Sequence, residues 1–198
     1  MSEFWNYFEI GVRQVLNRSA YEPILFLVAL SVPFAFKDWK KIAILTFVFT
    51  VSFALALLLS MYGMMVIKSE LIEIFIPFSI IIMAVYQLFS VGKSTKNSSI
   101  SVSVFLTLLF GLVDGLKFAN AFKVILDASK TGKVLPFLEL SLGIESVLIG
   151  VITLALIGSY VAQSGFKFSK RDWTLVVTSF VIGVVLPKII ENEIWFRK

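Results

Sequence analysis

Six apolar runs, separated by short polar stretches, leave this chain little choice of solvent. They cover about 22–36, 42–67, 71–91, 100–126, 135–163 and 172–190. Crossing the hydrocarbon core of a bilayer takes about 20 apolar residues in a helix, and only the first run is clearly short. Backbone groups left open in lipid are too costly to tolerate, so the runs are predicted to be helices rather than strands. The composition agrees. Hydrophobic residues make up 58% of the chain and charged residues 16%, against roughly 25% charged in a soluble domain. The expected fold is an all-α integral membrane protein with about six transmembrane helices, forming a single membrane domain over residues 1–198.

The first 20 residues differ from the rest. Phe4, Trp5, Phe8, Val12, Val15 and Leu16 recur at helical spacing, with Glu9, Arg13, Asn17 and Arg18 between them. This predicts an amphipathic helix that lies at the interface or packs on the bundle. No basic stretch leads into an uncharged core, so it does not read as a cleavable signal.

The connections KDWKK, IKSE, GKSTKNSS, DASKTGK and SGFKFSKRD are short and polar. Lys37, Lys40, Lys41, Lys93, Lys96, Lys167, Lys170 and Arg171 fall on one side of a six-span topology, and Lys68, Lys130 and Lys133 on the other. The positive-inside rule places the first group in the cytoplasm and both termini outside, in a bacterial inner membrane. Trp39 and Trp173, with Trp5 and Trp195 at the opposite level, are expected to form aromatic belts. The net charge of +5 sits in these loops, so it marks topology and not a nucleic-acid surface. The lipid bilayer is the expected partner.

Histidine and cysteine are both absent. That excludes imidazole ligands and catalysts, thiolate nucleophiles, disulfides and zinc–thiolate centres. No nucleophile–base pair can be named, so an enzyme is not expected, and no cofactor is predicted.

Charged groups at membrane depth are costly, and each is a candidate functional residue. Asp114 and Lys117 share a face of the fourth run, and Glu145 lies mid-way along the fifth. Glu139, Glu73 and Glu22 sit nearer the ends of their runs. Gly111 and Gly115 form a GxxxG step beside Asp114 that admits a close neighbouring helix. One reading is a polar cavity formed by Asp114, Lys117 and Glu145 that takes a small ion. The other is a buried ion pair or triad that fixes helix register. Met61, Met64 and Met65 have the i, i+3, i+4 spacing of a weak copper(I) site, or of adaptable packing. Pro33, Pro77 and Pro187 are expected to kink or stop helices. The 20 phenylalanines suggest broad lipid- or partner-facing surfaces.

Five stretches, in order, resemble the HupE/UreJ family of small polytopic membrane proteins. They are GVRQVLNRSAYEPILFLVAL, KDWKKIAILTFVFTVSFALALLLSMYG, LIEIFIPFSIIIMAVY, FGLVDGLKFANAF and LELSLGIESVLIG. FGLVDGLKFA is the most telling, being similar to the family's FGLVHGLGFA. The resemblance implies a nickel or cobalt permease. It also implies ligand positions at Gln14, Glu22, Pro23, Phe53, Asp114 and Glu145, where the family carries mainly histidine and acidic residues. Here Gln14, Pro23, Phe53 and Asp114 stand where it has histidines, and Lys117 replaces a glycine; Glu73 and Glu145 keep its acids. A site of that kind, emptied of imidazole, is expected to hold no transition metal; the ammonium of Lys117 between Asp114 and Glu145 would stand in for the cation. Two functions stay open. One is a permease-type transporter of a metal or other small ion. The alternative is a non-transporting subunit or assembly partner within a larger complex or homo-oligomer.

Overall fold

The computed structural model describes residues 2–17, 21–65, 67–90, 100–127 and 134–191. Among them all regular structure is helical. The α-helices are α1 (Ser2–Leu16), α2 (Glu22–Ser31), α3 (Trp39–Met61), α4 (Ser69–Ser90), α5 (Ile100–Asp127), α6 (Val134–Tyr160) and α7 (Lys170–Ile190). A 3₁₀ turn, Phe36–Asp38, leads into α3, and a π-helical turn, Val161–Gly165, ends α6. Trp195, Lys130, Lys133 and the whole GKSTKNSS loop, with Lys93 and Lys96, lie outside the described residues.

Among the described residues, five stretches are long and apolar enough to cross a membrane: Phe36–Ser60, Ser69–Ser90, Ile100–Ala119, Leu135–Gly165 and Lys170–Ile190. The first expected span is the exception. Its helix, α2, has only 10 residues, about 15 Å of rise and half the depth of the hydrocarbon core. Pro33 supplies the reason, because it has no N–H to extend the helix. The backbone turns at Val32 and Pro33 and is extended at Ala35 (φ −113°, ψ 169°).

The break is closed locally. The Val32 N–H donates to the Val28 carbonyl and the Phe34 N–H to that of Ser31. The Ala35 N–H donates to the Asp38 carboxylate at 3.2 Å. The Leu30 carbonyl, released where the helix ends, faces the amide of buried Gln87 on α4 at 3.5 Å.

Short as α2 is, the 22–36 segment still runs from one end of the bundle to the other. Glu22 meets Lys188, at the far end of α7. The Phe36 ring packs edge-on against Tyr160, where α6 ends, and Gly158 lies beside Trp173 near the start of α7. Ten helical residues and a few extended ones cover that length. Irregular backbone at this depth is tolerated because its polar groups are bonded within the protein and the stretch from Val32 to Ala35 is buried or half-buried. By contrast, α4 and α7 continue through Pro77 and Pro187.

Glycines set two of the helix–helix seams. The GxxxG step of α5 packs on α3. A Cβ on Gly115 would lie 2.6 Å from the Phe53 carbonyl, and one on Gly111 would strike the Ser52 hydroxyl. The amphipathic α1 packs on α6 through Gly11 and Gly143, where added Cβ atoms would collide with the Leu140 and Phe8 carbonyls. Small residues of this kind let backbones approach in lipid, where apolar burial gives no net drive between helices.

Aromatic rings tie α2, α5, α3 and α6 together. Phe26 of α2 stacks on Phe110 of α5 with centroids 3.9 Å apart and planes parallel within 1°. The contacts continue through Phe49, Phe53, Phe118 and Phe122 to Phe137 of α6 at centroid spacings of 5.8–6.1 Å. These seven rings are buried. The phenylalanine content therefore builds an internal column as well as an outer surface, where Phe47, Phe89, Phe105 and Phe180 are exposed.

Candidate polar site at the α1–α2 junction

Glu22 opens α2, where the helix dipole favours an acid. It is only 5% exposed. Two ammonium groups converge on its Oε1: Lys188 from α7 at 2.5 Å and Lys117 from α5 at 3.4 Å. Lys188 also sits 4.4 Å from the centroid of the Tyr21 ring, a cation–π contact. Each lysine leaves about a third of its side-chain surface exposed (35%). Oε2 of Glu22 is buried and accepts no hydrogen bond from the described residues.

Beside this triad lies a cavity of about 30 Å³, room for roughly one water-sized particle. Its polar lining is Gln14 from α1 and Asp114 and Lys117 from α5. Pro23, Phe49, Phe53, Phe118 and aliphatic side chains of α1 and α6 complete the wall. Asp114 is 8% exposed, and among the described residues it has no hydrogen-bond or ion-pair partner. The charges of Lys117 and Glu22 act on it through space.

The expected residues are thus partly brought together. Asp114 and Lys117 share the cavity, but Lys117 pairs with Glu22 rather than bridging Asp114 and Glu145. Glu145 is not in the cavity lining; on α6 it accepts a hydrogen bond from the Thr50 hydroxyl of α3. Four of the six positions assigned by family resemblance, Gln14, Pro23, Phe53 and Asp114, line this cavity, and Glu22 adjoins it through its pair with Lys117. Glu73 is exposed.

The methionine spacing does not form a helical face. Helix α3 stops at Met61, Gly63 takes a left-handed φ of 71°, and Met64 is 75% exposed beyond the turn. The Met61 side chain lies outside the described residues. Among the described residues no group of three acidic side chains is placed to hold a metal ion.

Lys188 was not among the expected site residues. A signal for it does exist: Thr174, Thr178, Val181 and Val185 form the buried stripe of α7, and Lys188 is the next residue on that stripe. What the sequence does not reveal is the acid it meets, 166 positions away.

A helical bundle with five stretches able to cross a membrane, an interrupted first segment and a charge-paired polar pocket is a multi-span membrane protein. A family model described as HupE / UreJ protein matches residues 1–191. The chain belongs to the HupE/UreJ family. No curated protein and no solved structure matches it.

Proposed function

We propose that this chain is a permease-type member of its family whose cargo is a small monovalent cation, passing through the cavity between α1, α2, α3, α5 and α6. The family suggests a nickel or cobalt role; the donor set here argues for a different cargo. Asp114 and Gln14 offer hard oxygen, and no soft or imidazole donor is present. The charges of Glu22, Asp114, Lys117 and Lys188 already sum to zero, so an added divalent ion would leave two uncompensated charges among phenyl rings. The single observation that carries the reading is Asp114: a buried carboxylate, facing a cavity, with no hydrogen-bond or ion-pair partner among the described residues.

A second reading rests on the Glu22 triad. Its acid is neutralised by the chain's own lysines, as it would be in a subunit that conducts nothing. The positive-inside distribution supports an inner-membrane location with the Phe36–Tyr160 end in the cytoplasm and both termini outside.

Reconstituted vesicles test the proposal. With ion-sensitive dyes inside, the parent is expected to pass Na⁺, K⁺ or protons, and Asp114→Asn to slow that flux at least tenfold without lowering the melting midpoint. Flux of Ni²⁺ or Co²⁺ that survives Asp114→Asn would overturn it. No flux of any cation would favour the subunit reading.

A further inference from the structure

Glu145 lies about 15 Å along α6 from the start of the apolar stretch at Leu135. Thr50, its partner, is about 15 Å from the opposite-running end of α3 at Ser60. Both are therefore near mid-depth in the bundle. Glu145 is half-buried, and the Thr50 hydroxyl is its one hydrogen-bond partner among the described residues. No lysine or arginine among them lies within ion-pair distance.

The surface around it is apolar and open. Val51 and Leu55 of α3 and Leu142 and Ile149 of α6 are each about half exposed. A carboxyl at that depth with one neutral partner is costly, and side chains of this kind usually face a cation or a polar cavity. The cavity wall does not include Glu145.

A second copy of the chain cannot supply the cation. Lys117 and Lys188, near the end of the bundle, are engaged with Glu22, Arg13 is engaged with Glu9, and a symmetric contact through this face would bring two Glu145 carboxyls together.

We propose that the α3–α6 face carrying Glu145 docks a transmembrane helix of another protein that bears a lysine or arginine at mid-membrane depth. Glu145 supplies the charge that selects the partner, and the exposed aliphatic residues supply contact area. Paired oppositely charged side chains are the arrangement that lowers the cost of both in lipid. The inference is independent of what passes through the cavity.

The probe is a 21-residue leucine–alanine helix with one central lysine, compared with the same peptide carrying norleucine there. Binding to the full-length protein in nanodiscs is read by energy transfer. The lysine peptide is expected to bind the parent at least tenfold more tightly than the norleucine peptide. Glu145→Gln, which keeps a partner for Thr50, removes that preference. Ile149→Trp, at a site already 53% exposed, blocks the lysine peptide while leaving the fold intact, so the idea stays testable even if Glu145→Gln fails to fold. Equal binding of the two peptides to the parent, or lysine preference persisting in either variant, overturns the proposal. So does a parent that is dimeric without peptide and becomes monomeric on Glu145→Gln, because the occupant would then be a second copy.

Discussion

Replacing Glu22 with glutamine is expected to lower the melting midpoint in detergent by about 5–10 °C. The side chain keeps its volume, so the loss is one of charge. Lys117 and Lys188 are then left side by side with no acid between them. Breaking a buried pair costs about 3–5 kcal/mol. Both lysines keep about a third of their surface exposed (35%), so solvent screening reduces the figure to about 2–3 kcal/mol. At about 2–4 °C per kcal/mol for a chain of this size, the midpoint shift follows. The specific signature is rescue. Adding Lys188→Met to Glu22→Gln should recover about half the loss, because it removes the ammonium that sits closest to Glu22. A Glu22→Gln protein that melts with the parent, or a double variant less stable than the sum of its singles, contradicts the charge-pair account.

The second large effect is expected at Gly143. Its neighbour is the Phe8 carbonyl of α1, and an added Cβ collides with that backbone atom. A backbone carbonyl in a helix cannot rotate aside, so the two helices must separate. Gly143→Leu should cost at least the upper part of the 1–3 kcal/mol typical of overpacking and expose α1 to proteolysis. Gly11→Ala strains the same seam from the other side, against the Leu140 carbonyl. Combined, the two should cost less than their sum, since once α1 has lifted the second clash is gone. Gly150 is the control on the same helix. No atom lies within 4 Å of its added Cβ, so Gly150→Leu should change stability by no more than about 0.5 kcal/mol. Equal losses at Gly143 and Gly150 would show that the seam is not packed as described.

Much of the architecture was legible because lipid demands it. The apolar runs correspond to α3 through α7 to within a few residues at most boundaries, and the GxxxG step met a neighbouring helix, α3. Periodicity also revealed the amphipathic α1, although only contacts could show that it lies on α6. The first span was harder. Its composition reads as continuous, yet one proline ends the helix at half-depth and irregular backbone completes the passage.

The polar site was half legible. Asp114 and Lys117 announced themselves as charges in an apolar run. Their helical spacing invited a local pairing, whereas the lysine reaches across to Glu22 on another helix. Residues three apart share a face, but a long flexible side chain chooses its partner in three dimensions. Glu145 was visible for the same reason as Asp114, and its separation from the cavity was not, because sequence distance says nothing about which side of α6 meets α1. The methionine triplet failed on a local rule: a glycine with left-handed φ ended the helix on which the spacing depended.

The central claim is that the pocket is balanced by its own two lysines and has no place for a divalent transition metal. Thermal unfolding of the purified protein, followed while Ni²⁺ and Co²⁺ are raised from zero to millimolar, tests this most directly. A metal at 100 times its dissociation constant stabilises the folded state by about 2.7 kcal/mol, which is a rise of about 5–10 °C here. The account predicts a midpoint that stays within about 1 °C throughout the titration. A saturable rise of about 5 °C or more, abolished by Asp114→Asn, would contradict it.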